Sequence, residues 1–266
     1  MTTEYGGGGD PARSIELLWG TAERPRRGPR PRLTVPQVAR AAIELADTEG
    51  LGALSMRRVA DHLGVTAMSL YTYVPGKAEL IDVMLDTVYA EAVREAVGET
   101  VGPESPAAGW RAALERIARR NRDLYLRHPW LMQVATSRPV LGPGLIAKYD
   151  LELRALDGLD LTDVEMDLLL SLVLDYVHGA ARVAVDAARA ERDTGMTDAQ
   201  WWQAHAPLLQ RALDPDRYPV ATRVGTAAGQ EYQAAHDPGR AFDFGLARVL
   251  DGVAAFLRDR PTGPRP

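Results

Sequence analysis

The chain has 266 residues, 46% hydrophobic and 25% charged, and no cysteine. That is enough apolar material for one large or two modest globular domains, and it excludes disulfides and thiolate metal sites. The formal net charge of −5 conceals a reversal, because residues 24–77 hold nine Lys/Arg against four Asp/Glu between acidic segments, and a polyanionic partner is expected for that block alone.

The opening "MTTEYGGGGDPARS" has no basic stretch followed by an apolar run, so it does not read as a secretory signal. Gly6 to Gly9 and the later "RPRRGPRPRL" cannot nucleate a packed element. Residues 1–32 are therefore expected to form a flexible Arg/Pro-rich arm, with at most a short turn of helix at "SIELLWG". No Gly-Lys-Ser/Thr follows the glycine run, so it is not a phosphate cradle. Within the arm, Arg26, Arg27 and Arg30 are expected to follow a phosphate backbone or enter a minor groove. The plainer alternative is a solvated linker.

From Thr34 the pattern is helical. Thr34 caps a helix with Pro36 in its first turn; Val38, Ala42, Leu45 and Ala46 share one face, and Gly50 closes it. Ser55 caps the next helix, with Val59, Ala60 and Leu63 inward, and Val65 and Leu70 pack under a third. Lys77 to Val97 predicts a long fourth helix, and residues 98–109 a connector. Further helices are expected at Trp110–Arg127, Leu145–Leu156, Leu161 to about Arg192 with Thr162 as cap, Thr197–Leu213 and Phe242–Arg258. The most apolar run, "MDLLLSLVLDYV", is short for a membrane span and is interrupted by Asp175 and then by His178, so it predicts a buried helix. No segment shows strand alternation between hairpin turns, and the expected fold class is all-α.

The stretch "MRRVADHLGVTAMSLYTYVPGKAEL" carries the chemistry. Ala60 is the small residue where two helices cross at a wide angle, and Gly64 supplies the positive φ of the turn. Val59, Leu63, Val65 and Leu70 fill the angle. This is helix-turn-helix spacing, in which a short polar second helix enters a DNA major groove. Thr66, Ala67 and Ser69 form its leading surface. The phenol groups of Tyr71 and Tyr73 can reach phosphates, although tyrosines in such places also serve as packing residues. Lys77 adds a cation and helix-start N–H groups for another phosphate.

At these residues "LSMRRVADHLGVTAMSLYTYVPGKAELIDVMLD" resembles the DNA-binding domain of TetR-type repressors, the tetracycline-repressor family, over about residues 33–90. More loosely, "HPWLMQVATSRP" and "LTDVEMDLLLSLVLDYVHG" resemble the regulatory domain of the subgroup containing the tetracycline repressor. The resemblance implies a homodimer that blocks a promoter and is released by a small molecule. It places Arg57 at the family's base-contacting arginine, and Ser69, Tyr71 and Lys77 at contact positions of the third helix and the turn after it. Tyr73 stands where the tetracycline repressor has a histidine, and Ala67 and Met68 replace a glutamine and a proline, which implies a different operator.

The larger part of the chain shows no Gly-x-Ser-x-Gly, no His-Glu-x-x-His, no P-loop and no dinucleotide fingerprint, so no catalytic residue, cofactor or enzymatic activity is expected. In the tetracycline repressor a histidine three residues before a Thr-Arg-Pro helps bind the drug's magnesium. Here Val134 holds that position, while Ser137, Arg138 and Pro139 keep the local pattern. A second histidine is matched by Asp175, with His178 three residues on, and a glutamate by Val183. No metal and a different, largely apolar effector are therefore expected. Its candidate contacts are Trp110, His128, Trp130, Met132, Arg138, Tyr149, Tyr176 and His178, each apolar member having core packing as its plain alternative. Trp201 and Trp202 suit an entrance or a partner subunit.

Residues 33–97 are thus expected to be the helix-turn-helix domain and 105–260 a helical ligand-binding and dimerisation domain. The function expected is a cytoplasmic, ligand-responsive repressor that binds double-stranded operator DNA as a homodimer, away from any membrane. The alternatives are an activator or a ligand-independent regulator.

Overall fold

Side-chain caps start most of the helices. The Thr34 hydroxyl accepts from the Gln37 backbone N–H while the Gln37 side chain accepts from the Thr34 N–H at 2.9 Å, a reciprocal capping box. Thr162 with Glu165 and Thr197 with Gln200 repeat the device, and Ser55, Thr66 and Asp237 cap singly. The computed structural model describes residues 4–5, 10–21, 33–98, 106–135 and 138–260. These carry α1 (Pro11–Trp19), α2 (Val35–Glu49), α3 (Met56–His62), α4 (Ala67–Tyr71), α5 (Lys77–Gly98), α6 (Pro106–Arg127), α7 (Pro143–Leu153), α8 (Asp163–Thr194), α9 (Asp198–Ala212), α10 (Pro219–Tyr232) and α11 (Pro238–Arg258). The fold is all-α; a parallel pairing of Glu4–Tyr5 with Val134–Ala135 is a two-residue exception.

Two expectations are corrected here. The short turn of helix expected at "SIELLWG" is longer, because Asp10 caps a nine-residue helix, with Pro11 in its first turn and Gly20 closing it at φ +65°. Trp19 anchors that helix by donating its indole N–H to the Leu141 carbonyl at 2.8 Å. Residues 219–232, where the sequence pattern predicts no helix, form α10. Arg26, Arg27 and Arg30 lie outside the described residues.

The chain forms two compact units, 1–171 and 172–266. In the first, one apolar core joins α2, α3, α4 and α5 to Leu124, Trp130, Leu131, Val134 and Val140. Helices α5 and α7 approach closely because Gly142 and Gly144 face Asp86: a Cβ on Gly144 would overlap the Asp86 carbonyl oxygen. The Asp86 carboxylate accepts from the Leu145 N–H at 2.9 Å, serving α7 where its own N-cap, Gly142, has no side chain. Burial pushes Asp86 above the usual carboxylate range, with the backbone N–H groups of Leu145 and Gly144 opposing. Nearby, Asn121 and Lys148 donate to the buried Glu152 carboxylate, each at 2.7 Å. Burial, with Glu152 and Asp86 adding to it, lifts the Tyr89 phenol to about 12.

The second unit holds the rest of α8 with α9, α10 and α11. Tyr176 stacks on Phe242 and donates its hydroxyl to the Phe242 carbonyl at 2.8 Å, with Ala241 as second acceptor at 3.1 Å. Gly245 makes room, since a Cβ there would overlap the phenol.

Gly144→Ala must displace α5 or α7, and overpacking of this kind costs about 1–3 kcal/mol. The expected result is a lower urea midpoint by circular dichroism. Gly52→Ala, whose Cβ would meet nothing within 4 Å, leaves the midpoint unchanged.

Candidate nucleic-acid interface and ligand regions

The turn between α3 and α4 is set by the backbone. Val65 donates to the Ala60 carbonyl at 3.0 Å and Gly64 to Asp61 at 3.1 Å, with Gly64 at φ +64°. Ala60, Val59 and Leu70 are buried, and Leu63 and Val65 pack against the same core. Helix α4 has only five residues, so its order comes from its ends rather than its length. Thr66 accepts from the Ser69 N–H at 3.3 Å and lies 3.0 Å hydroxyl to hydroxyl from Ser69. Thr72 then donates its hydroxyl to the Ser69 carbonyl.

The result is a surface of small polar and flexible groups. Thr66 and Ser69 are exposed, Met68 is 76% and Tyr71 46% accessible, and Ala67 is half-buried against the core. Tyr73 is half-buried against the core. The two tyrosines therefore differ: Tyr71 reaches solvent, while the ring of Tyr73 helps hold α4 in place. Lys77 is half-buried at the start of α5, where the buried Glu79 carboxylate comes close to Gly76. The positive field of that helix start is thus partly answered within the chain.

The adjacent arginines of α3 also divide. Arg57 points into solvent, its side chain 87% accessible, with Asp61 3.9 Å away. Arg58 turns back and grips both Glu49 oxygens at 2.7 Å, fixing α3 to the end of α2. Nothing in the sequence distinguishes the arginine that is committed internally.

The expected ligand contacts fall in several places. Trp130 is core: it is 1% accessible and donates its indole N–H to Asp47 of α2 at 2.8 Å. His128 meets the same carboxylate through Nδ1 at 2.9 Å, edge-on to Trp130. Met132 is buried beside them in sequence. Trp130 belongs to the core shared with α2, while His128, just before the 3-10 turn Pro129–Gln133, is half-buried. Trp110 is half-buried on α6, and Arg138 is exposed. Tyr149 donates to Asp167 at 2.8 Å, and that bond raises its pKa. In the second unit, Tyr176 closes α8 onto α11, and exposed His178 is held below the usual imidazole range by partial burial and by Arg182.

Two recesses lie in the second unit, and each includes a residue that the sequence singles out. A groove of about 430 Å³ between α8 and α11 is lined by Asp175, Tyr176 and Val183 among others. A cleft of about 510 Å³ separates α9 from α10. The second cannot be foreseen without α10, although Trp202 gives a partial signal.

Comparison with known proteins agrees with this geometry. Residues 38–84 match the model of the bacterial regulatory proteins of the tetR family, and residues 102–257 that of the tetracyclin repressor-like C-terminal domain. The chain is 45% identical over 264 residues to the HTH-type transcriptional repressor DrrR1 of Streptomyces coeruleorubidus, covering 97% of this chain and 91% of that one. It is similar to apo ActR of Streptomyces coelicolor, with a TM-score of 0.67 and 27% identity over 87% of this chain and 99% of ActR. It is also similar to ActR in complex with actinorhodin, with a TM-score of 0.66 and 25% identity over 84% of this chain and 96% of that one. A helix-turn-helix head with an exposed second helix, joined to a matching C-terminal domain, makes this chain a member of the TetR family of bacterial regulatory proteins.

Proposed function

We propose that the chain is a cytoplasmic repressor that binds operator DNA as a homodimer and lets go when a small, largely apolar molecule binds. The observation that carries this is the face of α4: a five-residue helix, capped at Thr66, that turns Ser69 and Tyr71 outward beside the solvent-facing Arg57. A five-residue helix with Leu70 alone fully buried adds little to a core and suits a groove that admits only its first turns. Arg57, Thr66, Ala67, Ser69 and Tyr71 make the base and phosphate contacts; Tyr73 supports them, and Lys77 meets a flanking phosphate. Residues 33–97 act as the reading head, 105–260 as the sensor and dimerisation region, and the arginines of residues 1–32 follow the backbone. The repressor named DrrR1 supports the sense of regulation, and the actinorhodin complex of ActR supports a small organic effector.

A single helix-turn-helix gains an operator of two half-sites by pairing with a twin. Helix α8 suits that pairing: Val164, Leu168 and Leu172 form an exposed stripe, with Leu168 61% accessible, and one third of its most apolar window is buried. The buried helix expected from the sequence is thus only partly buried within one chain, and a second copy covers the remaining apolar face. By composition α8 is long and apolar enough to cross a membrane; in this reading the twin subunit takes the place of lipid.

Of the expected effector contacts, Trp110, Arg138 and Tyr149 in the first unit and Tyr176 and His178 in the second retain accessible surface, and each set is a candidate within its own unit. The signal reaches the head through the Asp47 junction, where α2 is bonded to His128 and Trp130. A shift of the 128–132 turn must carry α2 with it or break those bonds, and only an effector favouring the shifted state can release DNA.

Three measurements test this reading. Nuclease protection across DNA flanking the chain's own gene should reveal a site of two half-sites, and Arg57→Ala or Tyr71→Ala should weaken binding there about tenfold with unchanged helicity. An absent footprint, or wild-type affinity in both variants, would refute the contact face. Leu168→Asp should yield a monomer by sedimentation and abolish the paired footprint. At the junction, Asp47→Leu strands the buried Trp130 donor and should cost about 1–3 kcal/mol in urea unfolding, clearly more than Trp130→Phe, which removes the donor itself.

A further inference from the structure

The cleft between α9 and α10 has an unusual lining for a chain that is one quarter charged. Fifteen residues form it and none is ionisable. Its floor is glycine. Trp202 of α9 lies against Gly229 of α10, where any Cβ would overlap the indole. One helical turn earlier, Gly225 offers the same kind of seat, and a Cβ placed there would meet nothing within 4 Å. A ring's worth of helix surface next to the indole is therefore open.

The walls are polar without being charged. Gln203, Gln210 and Gln230 side chains make no hydrogen bond to another described residue, so their amides present both donors and acceptors. Pro207, inside α9, cannot donate the helical bond that the Gln203 carbonyl would otherwise accept. A volume of about 510 Å³ lies in the range of small-molecule sites. With the Trp202 indole already seated on Gly229, the open backbone surface at Gly225 one turn away offers a flat ring a seat beside it.

We propose that this cleft binds a neutral, planar aromatic molecule bearing carbonyl, hydroxyl or N–H groups, its ring seated on Gly225 beside Trp202 and its polar edge met by the glutamine amides. A charged ligand would find no counter-ion here and would lose hydration without return. The site is distinct from the effector contacts proposed above and does not depend on DNA binding.

Acridone tests it, being a neutral fluorescent tricycle with one carbonyl and one N–H. It is titrated with the full chain by fluorescence anisotropy, with 9-aminoacridine as a comparably flat cation. The expected result is saturable acridone binding at one site per chain, at least about tenfold weaker for 9-aminoacridine because its charge is left unpaired. Gly225→Leu fills the seat while improving helix propensity, and should weaken acridone about tenfold or more with helicity retained. Ala221→Leu, one turn away on the same wall, gives a second reading through a different position. Absence of saturable binding overturns the proposal, as does wild-type acridone affinity in both variants. So does a shift in the monomer–dimer balance by Gly225→Leu without loss of acridone, which would assign the cleft to a second copy.

Discussion

The carboxylate of Asp47 is the joint on which the first unit turns. It accepts from His128 and Trp130, which lie 81 and 83 residues further along the chain. Two residues later, Glu49 grips Arg58 through both oxygens. The end of α2 is thereby held on one side to the turn after α6 and on the other to α3, and α3 carries α4 through the Gly64 turn. The exposed pair Arg58–Glu49 contributes at most about 1 kcal/mol by itself. The Trp130 bond differs, because a buried indole N–H without an acceptor is costly, so the junction resists being pulled apart. A motion of the 128–132 turn that keeps these bonds must therefore carry the end of α2 with it.

The same logic separates structural from available side chains. Tyr71 and Tyr73 are two residues apart, and so are His128 and Trp130, yet one of each pair is more deeply used by the core than the other. In and just after the short α4, Leu70 and Val74 point fully inward, which fixes Ser69 and Tyr71 outward without a long helix to hold them. Stability comes from the ends and from one buried leucine. The surface is left free to vary, and this permits a head of fixed shape to read different sequences.

Local signals are legible in the sequence wherever a side chain acts on its own neighbourhood. Thr34, Ser55, Thr162 and Thr197 announce their helices, and Gly64 announces its turn, because caps and positive φ are short-range chemistry. What stays hidden depends on distance. Nothing near Trp130 reveals an acceptor on α2, and nothing near Arg58 reveals Glu49. Helix α10 is hard to foresee because Gly225 and Gly229 weaken its propensity, and the reason for Gly229 is a tryptophan on another helix. Helix α1 exceeds its expected length at its start, where Asp10 caps it and Pro11 opens it, while its Trp19 anchor, the Leu141 carbonyl, lies far along the chain.

Charge shows the difference most clearly. Counting residues gives a basic block over residues 24–77, but in the folded head Arg58 is paired with Glu49, and Arg57 faces Asp61 only at long range. At the start of α5, Glu79 offsets part of the helix field beside Lys77. The head itself, residues 33–97, holds five Lys/Arg against nine Asp/Glu and so brings no net positive charge to a duplex. The whole surplus is in the five arginines of residues 24–32, adjacent in sequence to the head, while residues 33–77 balance four Lys/Arg against four Asp/Glu. In the proposed reading, groove fit at α4 and charge attraction by the arginines of residues 24–32 are separable contributions: the first depends on shape, while the second falls as salt displaces the counterions it would release. Sequence discrimination would then rest on a head without net positive charge, and salt-dependent affinity on the arginines beside it.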